Sequence, residues 1–135
     1  MTPLRTSLLA ALLGAGAASA EAVAPDYYLD ALFAVTTAER LAQFCPEVDV
    51  SLAAANAASE ALLSRLAEDG LVGDALTELS GVEYGVGLRQ ASFMERHGLN
   101  APSVEEICAA AEAEMAEGSA LGGLLMVSDT QAGED

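Results

Sequence analysis

A chain of 135 residues with 21 acidic and 5 basic side chains carries a formal charge of −16, with 53% hydrophobic residues and no tryptophan. That length sustains one domain around one core, and that charge repels phosphate backbones and anionic headgroups, which excludes nucleic acid and disfavours acidic membranes. The field attracts cations or a basic protein surface, so a partner with a basic face is one reading and a solubility or salt adaptation is the other.

The first twenty residues have the form of an export signal. Arg5 supplies a positive start, Leu8 to Leu13 an apolar stretch, and Ala18-Ser19-Ala20 an A-x-A cleavage site. The apolar stretch is broken by Gly14 and Gly16 and is too short to cross a hydrocarbon core of about 30 Å. Cleavage after Ala20 predicts a periplasmic or secreted protein without stable membrane insertion. Its removal takes one arginine and no acid, moving the charge from −16 to −17 and leaving Arg40, Arg65, Arg89 and Arg96 as the basic residues.

The remaining chain predicts an all-α domain over residues 21–127, a small bundle of four main helices, followed by an acidic, disordered tail at 128–135. After a short Ala-rich lead-in to Pro25, Asp26 is placed to cap a first helix reaching Phe44, with Leu29, Leu32, Phe33, Thr36 and Leu41 as its apolar stripe. Pro46 forbids continuation, since its ring clashes with the preceding turn and it has no N–H. Asp49 or Ser51 opens a second helix to about Asp69 with Leu52, Ala55, Ser59, Leu62, Leu63 and Leu66 inward, and Gly70 ends it.

A third segment runs from Asp74 to His97, with Leu76, Leu79, Val82, Val86 and Met94 at helical spacing and Phe93 beside them. Gly81, Gly85 and Gly87 each cost a helix about 1 kcal/mol relative to Ala, which leaves open a bend or a break near 81–87. Those glycines fit close approach of a neighbouring helix or of a ligand. The pattern Ser103-x-x-Glu106 is a capping box and the clearest helix start in the chain. The helix it opens carries Val104, Ile107, Cys108, Ala111 and Met115 inward and most of its glutamates outward. Gly118 ends or bends it before Leu121–Val127, which closes the core as a helix end or, alternatively, offers Leu121, Leu124, Leu125 and Met126 as an exposed patch for a partner.

Two cysteines, Cys45 and Cys108, fall in the exported part, where a well-separated pair forms a disulfide. Closing about sixty residues constrains the unfolded chain by about 4 kcal/mol in the chain-entropy view. The competing redox or metal pair lacks C-x-x-C spacing and a four-ligand set. No cofactor, metal or catalytic residue is expected. His97, the one histidine, sits in a helix's last turn where it meets the negative end of the dipole. Acidic pairs such as Glu105-Glu106 and Glu112-x-Glu114 read as a solvated face, although two carboxylates are all that a glycosidase needs. The expected function is therefore non-catalytic interaction with, or support of, another protein, with a small carboxylate-dependent hydrolase as the alternative.

Cys45-Pro46 at the end of the first helix, Ile107-Cys108-Ala109-Ala110-Ala111-Glu112 in the last, and Gly118-Ser119-Ala120-Leu121-Gly122-Gly123-Leu124-Leu125 after it come in a telling order. Together they resemble the small exported alphaproteobacterial proteins grouped as domain of unknown function 5333, over about residues 28–126. The resemblance implies no activity and no functional residues. It implies only a weak association with respiratory complex I, through the genomic neighbourhood of some members.

Overall fold

In the computed structural model, which describes residues 21–129, the elements are α1 (Asp26–Phe44), β1 (Val48–Val50), α2 (Leu52–Glu68), α3 (Asp74–Thr77), α4 (Val82–His97), α5 (Val104–Glu117), a 3₁₀ turn (Gly122–Leu124) and β2 (Leu125–Val127). The expected export signal at 1–20 and the last six residues lie outside the described part. The four long helices form the expected bundle, and Cys45 is bonded to Cys108.

Helix α1 is the hub, touching α2, α4, α5, β1 and the 3₁₀ turn. It starts with Pro25 at the cap position in extended backbone, so Asp26 sits one place inside, where its charge meets the positive helix end. It ends where Cys45 leaves the helix and Pro46 cannot donate. Its buried positions are Leu29, Ala34, Thr37, Ala38 and Leu41, whereas Leu32 and Phe33 are only half-buried and Thr36 is exposed. Small residues lie innermost because α5 approaches closely with its own Ala110 and Ala111, and both helices join Phe93, Leu99, Leu121, Leu124 and Leu125 in the main core.

The sheet was not legible in the chain. β1 and β2 pair antiparallel with Val48 opposite Val127 and Val50 opposite Leu125. Two further backbone bonds, Ser51 N–H to Leu124 O at 2.8 Å and Ser128 N–H to Glu47 O at 2.9 Å, extend the ladder. The segment after Gly118 is therefore a tight turn and a strand rather than the end of a helix. Ser128 is buried against it and so belongs to the domain and not to a free tail.

Helix α2 begins at the Ser51 cap, whose Oγ accepts from Ala54 N–H. Past Gly70 the Leu71 N–H returns to Leu66 O at 2.8 Å, a Schellman ending. Of its expected inward face only Leu66 is buried; Leu52 is 76% exposed and Leu63 is exposed too, because α2 lies along the outside of α1 and not between two layers. The expected third segment is divided: α3 ends at Thr77, and α4 restarts after Gly81, whose φ of +76° suits a residue without Cβ. The break sits there because Ser80 pairs with the lead-in, exchanging bonds with Ala22 and Ala24. Gly85 and Gly87 remain helical, and Gly85 is where Leu29 of α1 presses on α4. A second, smaller core results, of Ala24, Leu29 and Leu79 flanked by Leu76, Val82 and Val86. Met94 and Val104, expected inward, are exposed, while Phe93 takes the buried place in α4.

Candidate functional site

The densest polar constellation is built around Glu114. The capping box of Ser103 and Glu106 fixes the start of α5, and counting round from Ile107 through Ala111 turns position 114 inward. Its carboxylate is 1% exposed. Arg96 Nη2 reaches Oε1 at 2.5 Å and His97 Nε2 the same oxygen at 2.7 Å, both from the last turn of α4. The Ser119 hydroxyl donates to Oε2 and in turn accepts the Gly122 N–H at 2.9 Å. An ionised carboxylate only accepts, so His97 Nε2 carries a proton. Burial pushes this carboxyl up, yet the hydrogen bonds from Ser119 and His97 and the charges of Arg96 and His97 outweigh it and hold Glu114 below the usual carboxylate range.

Ser119, His97 and Glu114 are the residue types of a hydrolytic triad in the wrong order. In a triad the imidazole stands between carboxylate and hydroxyl and removes the hydroxyl proton. Here the carboxylate stands in the middle and both neighbours spend their protons on it. Chemically the cluster joins the ends of α4 and α5 to the 3₁₀ turn. Gly122 completes the joint: a Cβ there would overlap the Glu114 carbonyl and lie 2.7 Å from Met115 N. The Gly118-Ser119-x-x-Gly122 run thus encodes a helix end, a hydroxyl tie and a backbone crossing.

Cys45 and Cys108 are both buried, their Cα atoms 5.2 Å apart across a separation of 63 residues. Glu47 approaches the two sulfurs, but joined sulfurs offer no thiolate to a metal. Leu121, Leu124 and Leu125 are buried in the main core and so form no exposed patch, which corrects that alternative. The 3₁₀ turn folds them under α1, leaving Met126, 38% exposed, and Val127 at the surface. His97 does lie at its helix end, but against Glu114 and the ring of Phe93, 4.6 Å away between centroids.

A groove that sequence patterning did not foresee runs between α1, α4 and the start of α5, with a volume of about 380 Å³. It is lined by Thr36, Thr37, Arg40 and Gln90 together with apolar side chains including Leu41, Phe93 and Leu99. The exposed rings and thioethers of Phe44 and Met94 stand at its margin.

No curated protein and no solved structure matches this chain. Residues 22–126 match the sequence model of the family of unknown function DUF5333, and this span takes in both cysteines, Glu114 and the Gly-Ser-x-x-Gly run. The chain belongs to that family.

Proposed function

We propose that this protein is exported, performs no catalysis and acts by binding another protein. The observation that carries the non-catalytic reading is the closure of Glu114: the group best placed for proton transfer is buried, and its neighbours are all spent on it. Export is supported by the leader sequence and by a disulfide of the kind that persists in oxidising compartments. No helix among the described residues is long and apolar enough to cross a membrane. The formal charge of −17 after leader removal favours a partner with a basic surface, and such an attraction weakens as salt shortens the Debye length.

The second reading, a small carboxylate-dependent hydrolase, is favoured by the meeting of Ser119, His97 and Glu114. One experiment separates them. Protein purified from periplasm should begin at Glu21, cross-link to a specific partner at low salt and lose it at about 1 M salt, and turn over no ester, amide or glycoside. Turnover that disappears in a folded Glu114→Gln variant would make the hydrolase the better reading.

A further inference from the structure

We propose that the reduced form of this domain binds one zinc ion through Cys45, Cys108 and Glu47, so that a metal site and the disulfide are two exclusive states of the same sulfurs. This does not depend on the protein-binding reading. Three features converge on it.

The first is the ligand set. Both sulfurs and a carboxylate oxygen of Glu47 lie within 4.8 Å of one another. With Zn–S near 2.3 Å and Zn–O near 2.0–2.2 Å, tetrahedral ligands of one zinc ion stand about 3.5–3.8 Å apart. Once the S–S bond is open, rotation about the Cα–Cβ bonds brings the sulfurs to that spacing, their Cα atoms being 5.2 Å apart. The second is the state of Glu47. Among the described residues its carboxylate makes no hydrogen bond or ion pair. Two joined sulfurs offer a carboxylate nothing, whereas a cation between two thiolates uses it.

The third is that each ligand is held by something other than the S–S bond. Cys45 N–H bonds to Leu41 O at 2.8 Å at the end of α1. Cys108 follows the capping box of α5, and Glu47 is anchored by its own carbonyl, which accepts Ser128 N–H at 2.9 Å in the ladder of the sheet. Glu114 ties α5 to α4 independently. The donors therefore stay together when the sulfurs part.

The chemistry of the donors selects the ion. Thiolates favour soft or borderline metals, and the carboxylate favours Zn²⁺ over Cu⁺ among them. Three protein ligands leave the fourth tetrahedral position to water. Two thiols bind Zn²⁺ by releasing two protons, and the sulfurs keep their electrons. Attack by an external disulfide removes two electrons from the sulfur pair: the Cys45–Cys108 bond forms, the reagent takes up two protons and leaves as two thiols, and Zn²⁺ departs. Both sulfurs are buried, so they close round the ion as the reduced chain folds, in the way that metal uptake and folding are coupled in structural zinc sites.

The test is titration of the full mature protein, reduced with a phosphine and freed of it without oxygen, first with Co²⁺ and then with Zn²⁺. One equivalent of Co²⁺ should give tetrahedral d–d bands and thiolate charge-transfer absorption, and one equivalent of Zn²⁺ should bleach them. Zinc should raise the melting temperature of the reduced protein and leave that of the oxidised protein unchanged. Glu47→Gln should weaken zinc by at least about tenfold, as loss of even an outer-sphere partner does, while its oxidised form melts with the parent. Absence of the tetrahedral bands, or parental zinc affinity in Glu47→Gln, would overturn the proposal. Equal zinc binding by the oxidised protein would overturn it in favour of adsorption by the acidic surface. If reduction unfolds the chain, zinc should refold it, and binding without refolding would overturn the proposal as well.

Discussion

The two cores of this domain are held by different means. The main one gathers thirteen buried residues from α1, α4, α5, the 3₁₀ turn and the small sheet, and adds a disulfide, a buried carboxylate with three side-chain partners, and a backbone crossing at Gly122. The smaller one has three, Ala24, Leu29 and Leu79, and is fastened at its edge by a single bridge between Val23 and Ser80 and by Arg89 at 3.1 and 2.6 Å from Asp26 and Asp30. Apolar burial at about 25 cal/mol per Å² favours the first heavily. The difference teaches where the chain spends its unusual residues. With few aromatic side chains, it closes one end with covalent and charged ties and leaves the other to open first.

Reduction of the disulfide should show the largest effect. Cys45 joins the end of α1 to α5 across 63 residues, and Cys45→Ser or reduction should cost about 2–5 kcal/mol by denaturant unfolding. Hydrogen exchange on the oxidised protein sharpens the contrast. Amides of 76–86 should exchange well before those of α5, and reduction should bring the two rates together; equal rates before reduction would break the comparison. Gly122→Ala follows at about 3 kcal/mol, since the clash is with backbone of Glu114 and Met115 that cannot swing aside. An unchanged unfolding midpoint for this variant would remove the crossing from the account of the main core.

Much of this fold was written in local signals. The limits of α1 follow from Pro25 and Pro46, and α5 opens at a capping box in which Ser103 and Glu106 satisfy each other's backbone N–H. Cys45 and Cys108 bond as their number and separation implied. What escaped depends on distant partners. Three-residue strands have no period to read, and Val48 finds Val127 only once the turn at 122–124 has formed. Ala111 was read as inward, but Ala34, Ala38 and Ala110 were passed over although all three are buried, because the weight of an alanine comes from how closely helices approach. Glu114 was read with its neighbours as a solvated face. Its signal was present, three residues beyond Ala111 and seven beyond Ile107 on the inward stripe, with a serine and a glycine in a fixed run just after it. The groove had no sequence signature of its own: Thr36, Leu41, Phe93, Met94 and Ile107 in its lining were read only as positions of the apolar stripes, and the space beside them depends on how the helices pack.

Glu114 gives the third effect, and it is read through pH. Its carboxyl titrates lower in the folded protein than in the unfolded chain, so the unfolded state binds the proton more readily. The stabilisation is complete above the unfolded value, about 4.3, and is lost as pH falls through the depressed folded value. Glu114→Gln should cost about 2 kcal/mol at neutral pH, with the gap from the parent closing in acid. A gap that stays constant from neutrality down through the carboxylate range would mean that the charge on Glu114 contributes nothing and that shape alone holds the joint.

The smallest effect should come from the tie of the minor core. Arg89 also donates to the Gly85 carbonyl at 3.0 Å, so its side chain covers the point where Leu29 presses on α4. Its two carboxylate partners are largely in water, however, and ion pairs of that kind contribute little. Arg89→Ala should therefore lower global stability by less than about 1 kcal/mol. It should act locally instead, speeding exchange of the first turns of α1 and α4 while leaving α5 untouched, because neither residue of the disulfide nor any partner of Glu114 touches this pair. A loss as large as that of Glu114→Gln, or faster exchange in α5, would show the two cores to be one cooperative unit.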